Sequence, residues 1–552
     1  MAARIPRKGF LLLPVPLILA VFFAFFLPYG AAFRNALGAA GDVSVWNNAA
    51  LWRITAFTIK QAFLSVLLSL AIGLPGAILL GRGKGRLVPL LRAITAIPFA
   101  MPSILVVLGF VLFFGNSGWL NRAFAAIMGR DEGPFRILYK PAAIVLAHGF
   151  FNFPIVIRLA GDGLARVRRA YSPAAASLGA PPIAVFFTVV LPISLPAIIS
   201  AALLVFLYSF ASFAVVLVLG GGPAGTTLAV EIYRHARIFH NYSNAGLLAL
   251  IETLIAVSVF LAYSFFRRKF AWIKTEIRDR EFEVVNPALS RAAMVLYLIP
   301  AMIFILGPPL SVALESFLYR PSRAAAQALS LRWWASLGGA CLPALARSLI
   351  LAFSSASLAC VIAFMAAGAE KIAETEGAAG IPLLMSIMRF FASAPLVSSG
   401  IVMGLGWLII YGRDLSRSPF ALAAALILLH AVIAMPFAFS SISEGFRALP
   451  AGTLNAAIAF GSSPIRALLN TALPLSMRRI RSAWGFAAAL SLGELNAIMM
   501  LGIESWETLP LYIYRAAGAY RYGSACAAGT ILILCCALAF ILSESGGKEN
   551  AA

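Results

Sequence analysis

Charge is scarce in this chain of 552 residues. Asp, Glu, Lys and Arg make up 12%, against 61% hydrophobic residues. Soluble domains carry about a quarter charged residues, so an ordinary soluble fold is excluded and the bilayer becomes the expected solvent. Acidic residues are the scarcer sign, 21 against 43 basic, for a net charge of +22. In a soluble protein such an excess would suggest nucleic acid. Here the basic residues sit mainly between apolar runs, where membrane orientation explains them, so membrane lipid is the expected contact and no nucleic acid is. Cysteine is sparse and scattered (Cys341, Cys360, Cys526, Cys535, Cys536). No C-x-x-C pair occurs, which excludes both a disulfide framework and a zinc site by pattern. A nucleotide loop is also missing. Gly81-Arg82-Gly83-Lys84-Gly85 has glycine and lysine but neither the P-loop spacing nor the hydroxyl residue after lysine. No Ser-His-Asp, metal or paired-carboxylate constellation shares one depth, so the chain reads as no enzyme and no binder of a cofactor of its own.

What is present is length without polarity. A spanning helix needs about 20 mostly apolar residues. Hydropathy predicts twelve: 10–29, 57–80, 94–114, 142–160, 190–219 and 245–266, then 292–314, 345–368, 387–411, 420–440, 482–502 and 525–543. The first follows Arg4, Arg7 and Lys8 as a signal peptide would, but it is too long for one and no small-x-small site closely follows, so it reads as an uncleaved span. Residues 267–291 are the one sustained polar run, of mixed sign, and read as a cytoplasmic linker between a half at 1–266 and a half at 292–552. Arg82, Lys84, Arg86 and Arg92, then Arg158, Arg166, Arg168 and Arg169, then Arg267, Arg268 and Lys269 mark the cytoplasmic side, with both termini inside. The expected fold is an all-α membrane protein of about 12 spans in two parallel six-helix repeats.

The repeat rests on specific residues. His148, Pro154, Asp162-Gly163, Gly179, Pro182 and Leu191-Pro192 return 282 positions later as His430, Pro436, Glu444-Gly445, Gly461, Pro464 and Leu473-Pro474. Pro98, Gly109 and Gly115 match Pro395, Gly406 and Gly412 at 297. Between the landmarks lie Ala174-Ala175-Ala176-Ser177-Leu178 and Ala456-Ala457-Ile458-Ala459-Phe460, short helix-prone runs that the following glycine can end by taking positive φ. A small cytoplasmic helix has little core of its own, so docking on a partner is the natural way to bury it.

Few polar residues enter the spans. Glu252, Glu494 and Ser491 are candidates for a solute path; a carboxylate at such depth either attracts a cation or makes a structural hydrogen bond. His148 and His430 read as helix-end packing, since no acidic or cysteine partner stands at ligand spacing.

The duplicated stretch resembles the cytoplasmic pattern of the inner-membrane permeases of binding-protein-dependent ABC importers: Glu-Ala-Ala, three residues, Gly, nine residues, Ile-x-Leu-Pro. Ala174, Ala175, Gly179, Leu191 and Pro192 fit it, as do Ala456, Ala457, Gly461, Leu473 and Pro474, with Pro182 and Pro464 inside each copy. Pro173 and Asn455 replace the acidic residue, and Val189 and Thr471 replace the isoleucine. The departure leaves any ionic contact to neighbours such as Asp162 and Glu444. The resemblance implies a type I importer fold and two coupling loops, about 162–192 and 444–474, each seated on one of two copies of an ATPase subunit that uses ATP and Mg. It also implies an extracytoplasmic solute-binding protein and a place in a bacterial inner membrane. A single chain with two halves is similar to the fused thiamine and ferric-iron permeases. Leu219-Gly220-Gly221-Gly222-Pro223 and Ser491-Leu492-Gly493-Glu494 lean toward the thiamine type, and hence a small cationic solute, thiamine or a phosphorylated form. Ferric iron is the alternative. An ion-coupled secondary transporter also fits twelve spans, but gives the repeated loop no task.

Overall fold

The computed structural model describes residues 12–40, 49–82, 94–95, 98, 101–222, 225–271, 287–319, 328–376, 381–415, 417–450, 452–502 and 506–545. They are almost wholly helical; among them the one strand pair is Leu318–Tyr319 with Ala328–Leu329, antiparallel. Among the described residues ten helices are long and apolar enough to cross a membrane, from Val15–Gly38 to Tyr522–Ile541. An eleventh is a bent pair, Met385–Val397 with Gly400–Leu415, turned by 100°. The helix Leu473–Gly493 stands where the remaining span is expected, but Arg478, Arg479 and Arg481 lower its hydropathy. Several long helices carry internal proline (Pro75, Pro154, Pro196, Pro300, Pro436). Neighbouring helices and local widening of the helix make that tolerable in a bilayer.

The structure corrects several boundaries. The spans predicted at 190–219 and 482–502 are each broken. Leu191–Phe210 is followed by a gap and then Ala214–Leu219; Leu473–Gly493 is followed by a gap and then Asn496–Leu501. The span predicted at 387–411 bends at a 3₁₀ turn, Ala394–Val397, where Pro395 cannot donate to the helical ladder. Helix extends well past 29 in the first span, to Ala40, through a π-helical turn at Phe22–Phe26. Both ends of the predicted linker are helical, as parts of Tyr242–Ala271 and Pro287–Glu315. Residues 272–286 of it lie outside the described residues.

Two compact units emerge. One holds the described residues of Met1–Gly41, Ile232–Ala249 and Ser316–Ala552, the other those of Asp42–Glu231 and Leu250–Glu315. Each therefore contains helices from both sequence halves. In the first, the N-terminal helices lie on Gly400–Leu415: Trp407 Nε1 donates to Ala24 O at 2.8 Å, and Tyr29 bonds Ser398. In the second, Pro287–Glu315 lies on Ser103–Phe114 and Ala49–Arg82. Tyr297 donates to Ile72 O at 3.1 Å, and Glu315 accepts from Trp119 Nε1 at 3.1 Å. The two packings are counterparts. A Cβ at Gly109 would meet the Pro308 carbonyl oxygen, and one at Gly406 would meet the Pro28 carbonyl oxygen. Glycine at these places lets one backbone lie against another.

Candidate coupling loops and buried polar centres

The two loops share a geometry at their tips. Gly179 has φ +81° and Gly461 φ +89°, the left-handed region that favours glycine. Gly179 N donates to Ala176 O at 2.9 Å and Ala180 N to Ala175 O at 3.2 Å; Gly461 N donates to Ile458 O at 2.9 Å and Ser462 N to Ala457 O at 3.1 Å. These paired bonds form a Schellman motif, which satisfies carbonyls the helix end leaves open. Ala174 and Ala456 are exposed, while Ala175 and Ala457 are half-buried. Ala175 turns inward, onto a cluster of Ala77, Leu164, Val167, Val185 and Val190.

The return is also duplicated. Pro182 and Pro464 each start a single helical turn, Pro182–Val185 and Pro464–Ala467. A π-helical turn follows in both, Phe186–Val190 and Leu468–Ala472, and leads into Leu191-Pro192 and Leu473-Pro474. Proline lacks the N–H of the helical ladder and crowds the carbonyl one turn back; a widened turn relieves both.

Sequence reasoning passed over the residues that fill the tips. Leu178 is 88% exposed and Phe460 92% exposed, each just before the left-handed glycine. Ile183 and Ile465 are exposed a few residues on. The signal was available: both pairs stand 282 positions apart. Asp162 is exposed well inside Pro141–Ser177, and Glu444 is exposed in the last turn of Pro419–Arg447.

The roots of the loops differ. Pro141–Ser177 runs as one helix from the span into the loop. Pro419–Arg447 stops, and helix resumes only at Thr453–Ala459, after Gly452 at φ +86°. Pro450 and Gly452 account for the break; Arg168 and Ala170 stand at the matching places in the first copy.

Deeper in each unit, the repeat preserves hydrogen bonds between helices. Leu228 N donates to Thr58 Oγ1 at 3.1 Å, and Leu509 N donates to Ser348 Oγ at 2.8 Å. Each hydroxyl satisfies an amide at the start of a helix that has no partner within it. Both histidines are buried in these centres, not at helix ends. Ser65 Oγ donates to Gln61 O at 2.7 Å and lies 3.2 Å from His148 Nδ1. In the other unit Ser355 Oγ donates to Ser491 Oγ at 3.0 Å, which lies 2.8 Å from His430 Nδ1. Ser491 thus belongs to a buried polar centre. Glu494 follows it at the helix break, where its carboxylate accepts from Ala497 N at 3.0 Å and starts the next helix. Glu252 is buried in Tyr242–Ala271, in the other unit.

Repeated transmembrane halves and matched loop tips define the class. Residues 73–271 match the family of binding-protein-dependent transport system inner membrane components. The chain is a fused inner-membrane permease of the ABC importer type, a multi-pass transport subunit. It is similar end to end to the thiamine transport system permease protein ThiP. With that of Escherichia coli (strain K12) it is 29% identical, over 92% of this chain and 91% of the relative. With that of Brucella abortus (strain 2308) it is 28% identical, over 98% and 96%. The molybdenum transport system permease protein ModB of Mycobacterium bovis is 34% identical over 32% of this chain and 65% of its own length.

Proposed function

We propose that this chain is the membrane subunit of a thiamine importer driven by two copies of a separate ATPase, which use ATP and Mg. The observation that carries the ATPase part is the matched pair of tips. Leu178 and Phe460 are large apolar side chains held out beside left-handed glycines. Exposed apolar residues on rigid turns are what a partner's pocket takes as anchors. The fold repeats this feature once per half, which suits one ATPase subunit for each loop, and Asp162 and Glu444 supply charge at the rim. A small-residue helix face around Ala174, Ala175, Ala456 and Ala457 completes each contact.

A solute-binding protein delivers the solute at the outer face; the termini are cytoplasmic. ATP closes the ATPase subunits together, the loops follow, and the attached helices change which side the path opens to. A cationic solute suits a chain with a buried carboxylate at Glu252, a half-buried one at Glu494 and a buried hydroxyl at Ser491. The thiamine assignment rests on the names of the end-to-end relatives.

The test is reconstitution in proteoliposomes with an ABC ATPase and a thiamine-binding protein from the same organism. Radiolabelled thiamine should enter only with ATP. The double variant Leu178→Asp, Phe460→Asp should lose ATPase association by at least about thirtyfold, as removal of two apolar anchors predicts. Uptake driven by a proton gradient without ATP would overturn the reading. Uptake of ferric iron in place of thiamine would overturn the substrate.

A further inference from the structure

The two loops are held differently at their roots, and the difference lies in positions the repeat makes equivalent. In the second half, Glu370 is 3% exposed near the end of the helix Cys341–Glu376. Arg389 donates to its Oε1 from Nε at 3.0 Å and again from Nη2. Arg447 Nη2 lies 3.9 Å from the same oxygen, and Ser443 Oγ donates to Oε2 at 3.5 Å. Arg447 is the last residue before the non-helical turn that leads to the loop helix. On the far side of the loop, Leu468 lies over Gly368, where a Cβ would collide with it. One helix, Cys341–Glu376, therefore grips both the entrance and the exit of the second loop, within two residues of each other.

In the first half the matching place is apolar: Ala77, Leu164, Val167, Val185 and Val190 form one buried cluster, with Ile78 and Phe186 packed against it. Leu80 stands at the place of Glu370 and Ala165 at the place of Arg447. Ile78, Ala165 and Phe186, the counterparts of Gly368, Arg447 and Leu468, line a shallow surface recess with Ala77, Leu164, Arg168 and Val190. The first loop also has less need of a grip, since its helix is continuous with the span from Pro141 to Ser177. A broken connection bends under load; a continuous helix passes the load on.

We propose that Glu370 is a positioning residue that locks the second coupling loop to its helices, so that ATPase movement reaches them across the break at 448–452. The proposal rests on the ATPase reading above. Arg389 and Arg447 are the cationic arms of the lock, and Glu370 is its anchor because it alone of the three is buried. Removing one partner of a buried, hydrogen-bonded charge set leaves the others uncompensated, so the members act as a unit and their losses do not add.

The experiment uses the reconstituted complex with its ATPase and binding protein, and reads thiamine transported per ATP hydrolysed. Glu370→Gln keeps the shape and removes the charge. It should leave ATPase association and basal hydrolysis in place and lower transport per ATP by about tenfold, the size of one coupled ionic contact. Arg389→Gln should do the same, the double variant should be no worse than either single, and Arg389→Lys should restore most of the coupling. Arg389 is half-exposed, so its variants report even where Glu370→Gln fails to fold. Unchanged transport per ATP in Arg389→Gln overturns the proposal. So do losses that multiply in the double variant. Failure of the unmodified chain to recruit the ATPase overturns the underlying reading instead.

Discussion

The first loop hangs from an unbroken helix, Pro141–Ser177, over an apolar cluster; the second hangs from a helix that stops at Arg447, where Glu370 holds it, and returns with Leu468 on Gly368. The tips nevertheless agree in backbone angles, hydrogen bonds and exposed side chains. On the proposed ATPase reading, tips that agree while roots diverge let the two loops meet equivalent surfaces and carry force inward by different means. A continuous helix resists bending through its own ladder of hydrogen bonds. A segmented one needs tertiary contacts to replace the missing turns.

The largest effect should come where the halves agree. In Gly109→Val the new side chain meets the Pro308 carbonyl, and in Gly406→Val it meets the Pro28 carbonyl. A backbone oxygen cannot rotate away, so each variant should lose about 3 kcal/mol or more of stability by overpacking. Thermal unfolding of the detergent-purified chain reads this. Equal losses confirm that the crossing is one contact used twice; a tolerant Gly406→Val beside a disrupted Gly109→Val would break that equivalence.

The crossing also marks what the sequence could and could not reveal. The spans were legible because hydropathy has a length scale set by the bilayer. The repeat was legible because proline, glycine and histidine kept their spacing, and Gly109 and Gly406 were among the residues that kept it. That Gly406 meets Pro28 was not legible, because an apolar run does not name its neighbour. The break at Ala211-Ser212-Phe213 has no glycine or proline to announce it. Its counterpart is fixed by a side chain, Glu494 on Ala497 N, so local propensity could not place it. Leu178 and Phe460 were overlooked because one more apolar residue in an apolar chain carries no contrast. Only their exposure in the folded chain supplies it.

A smaller effect tests the buried hydroxyls. Thr58→Ala removes the acceptor for Leu228 N, and Ser348→Ala that for Leu509 N. Each should cost about 1 kcal/mol, the usual worth of one such hydrogen bond. Thr58→Ala should cost slightly more, because the threonine methyl is lost with the hydroxyl. A Ser348→Ala variant that unfolds at the temperature of the parent would show that the second unit does not depend on the bond.

The smallest effect bears most directly on the roots. Amides in 166–172 belong to a continuous helix, whereas those of 448–452 follow its end, with Gly452 in the left-handed region. Hydrogen exchange at the first root should therefore be slower than at the second. Ala170→Gly brings to the first root the residue type that stands at the matching place, 452, in the second. Glycine in a helix interior costs about 1 kcal/mol relative to alanine, so exchange of the amides around 170 should rise by about fivefold while the tip at 174–179 keeps its bonds. Transport per ATP should fall only slightly, since the apolar cluster of Ala77, Leu164 and Val167 still holds the weakened turn. If exchange at 166–172 already equals that at 448–452 in the unaltered chain, the two roots are equally compliant and the contrast between them fails.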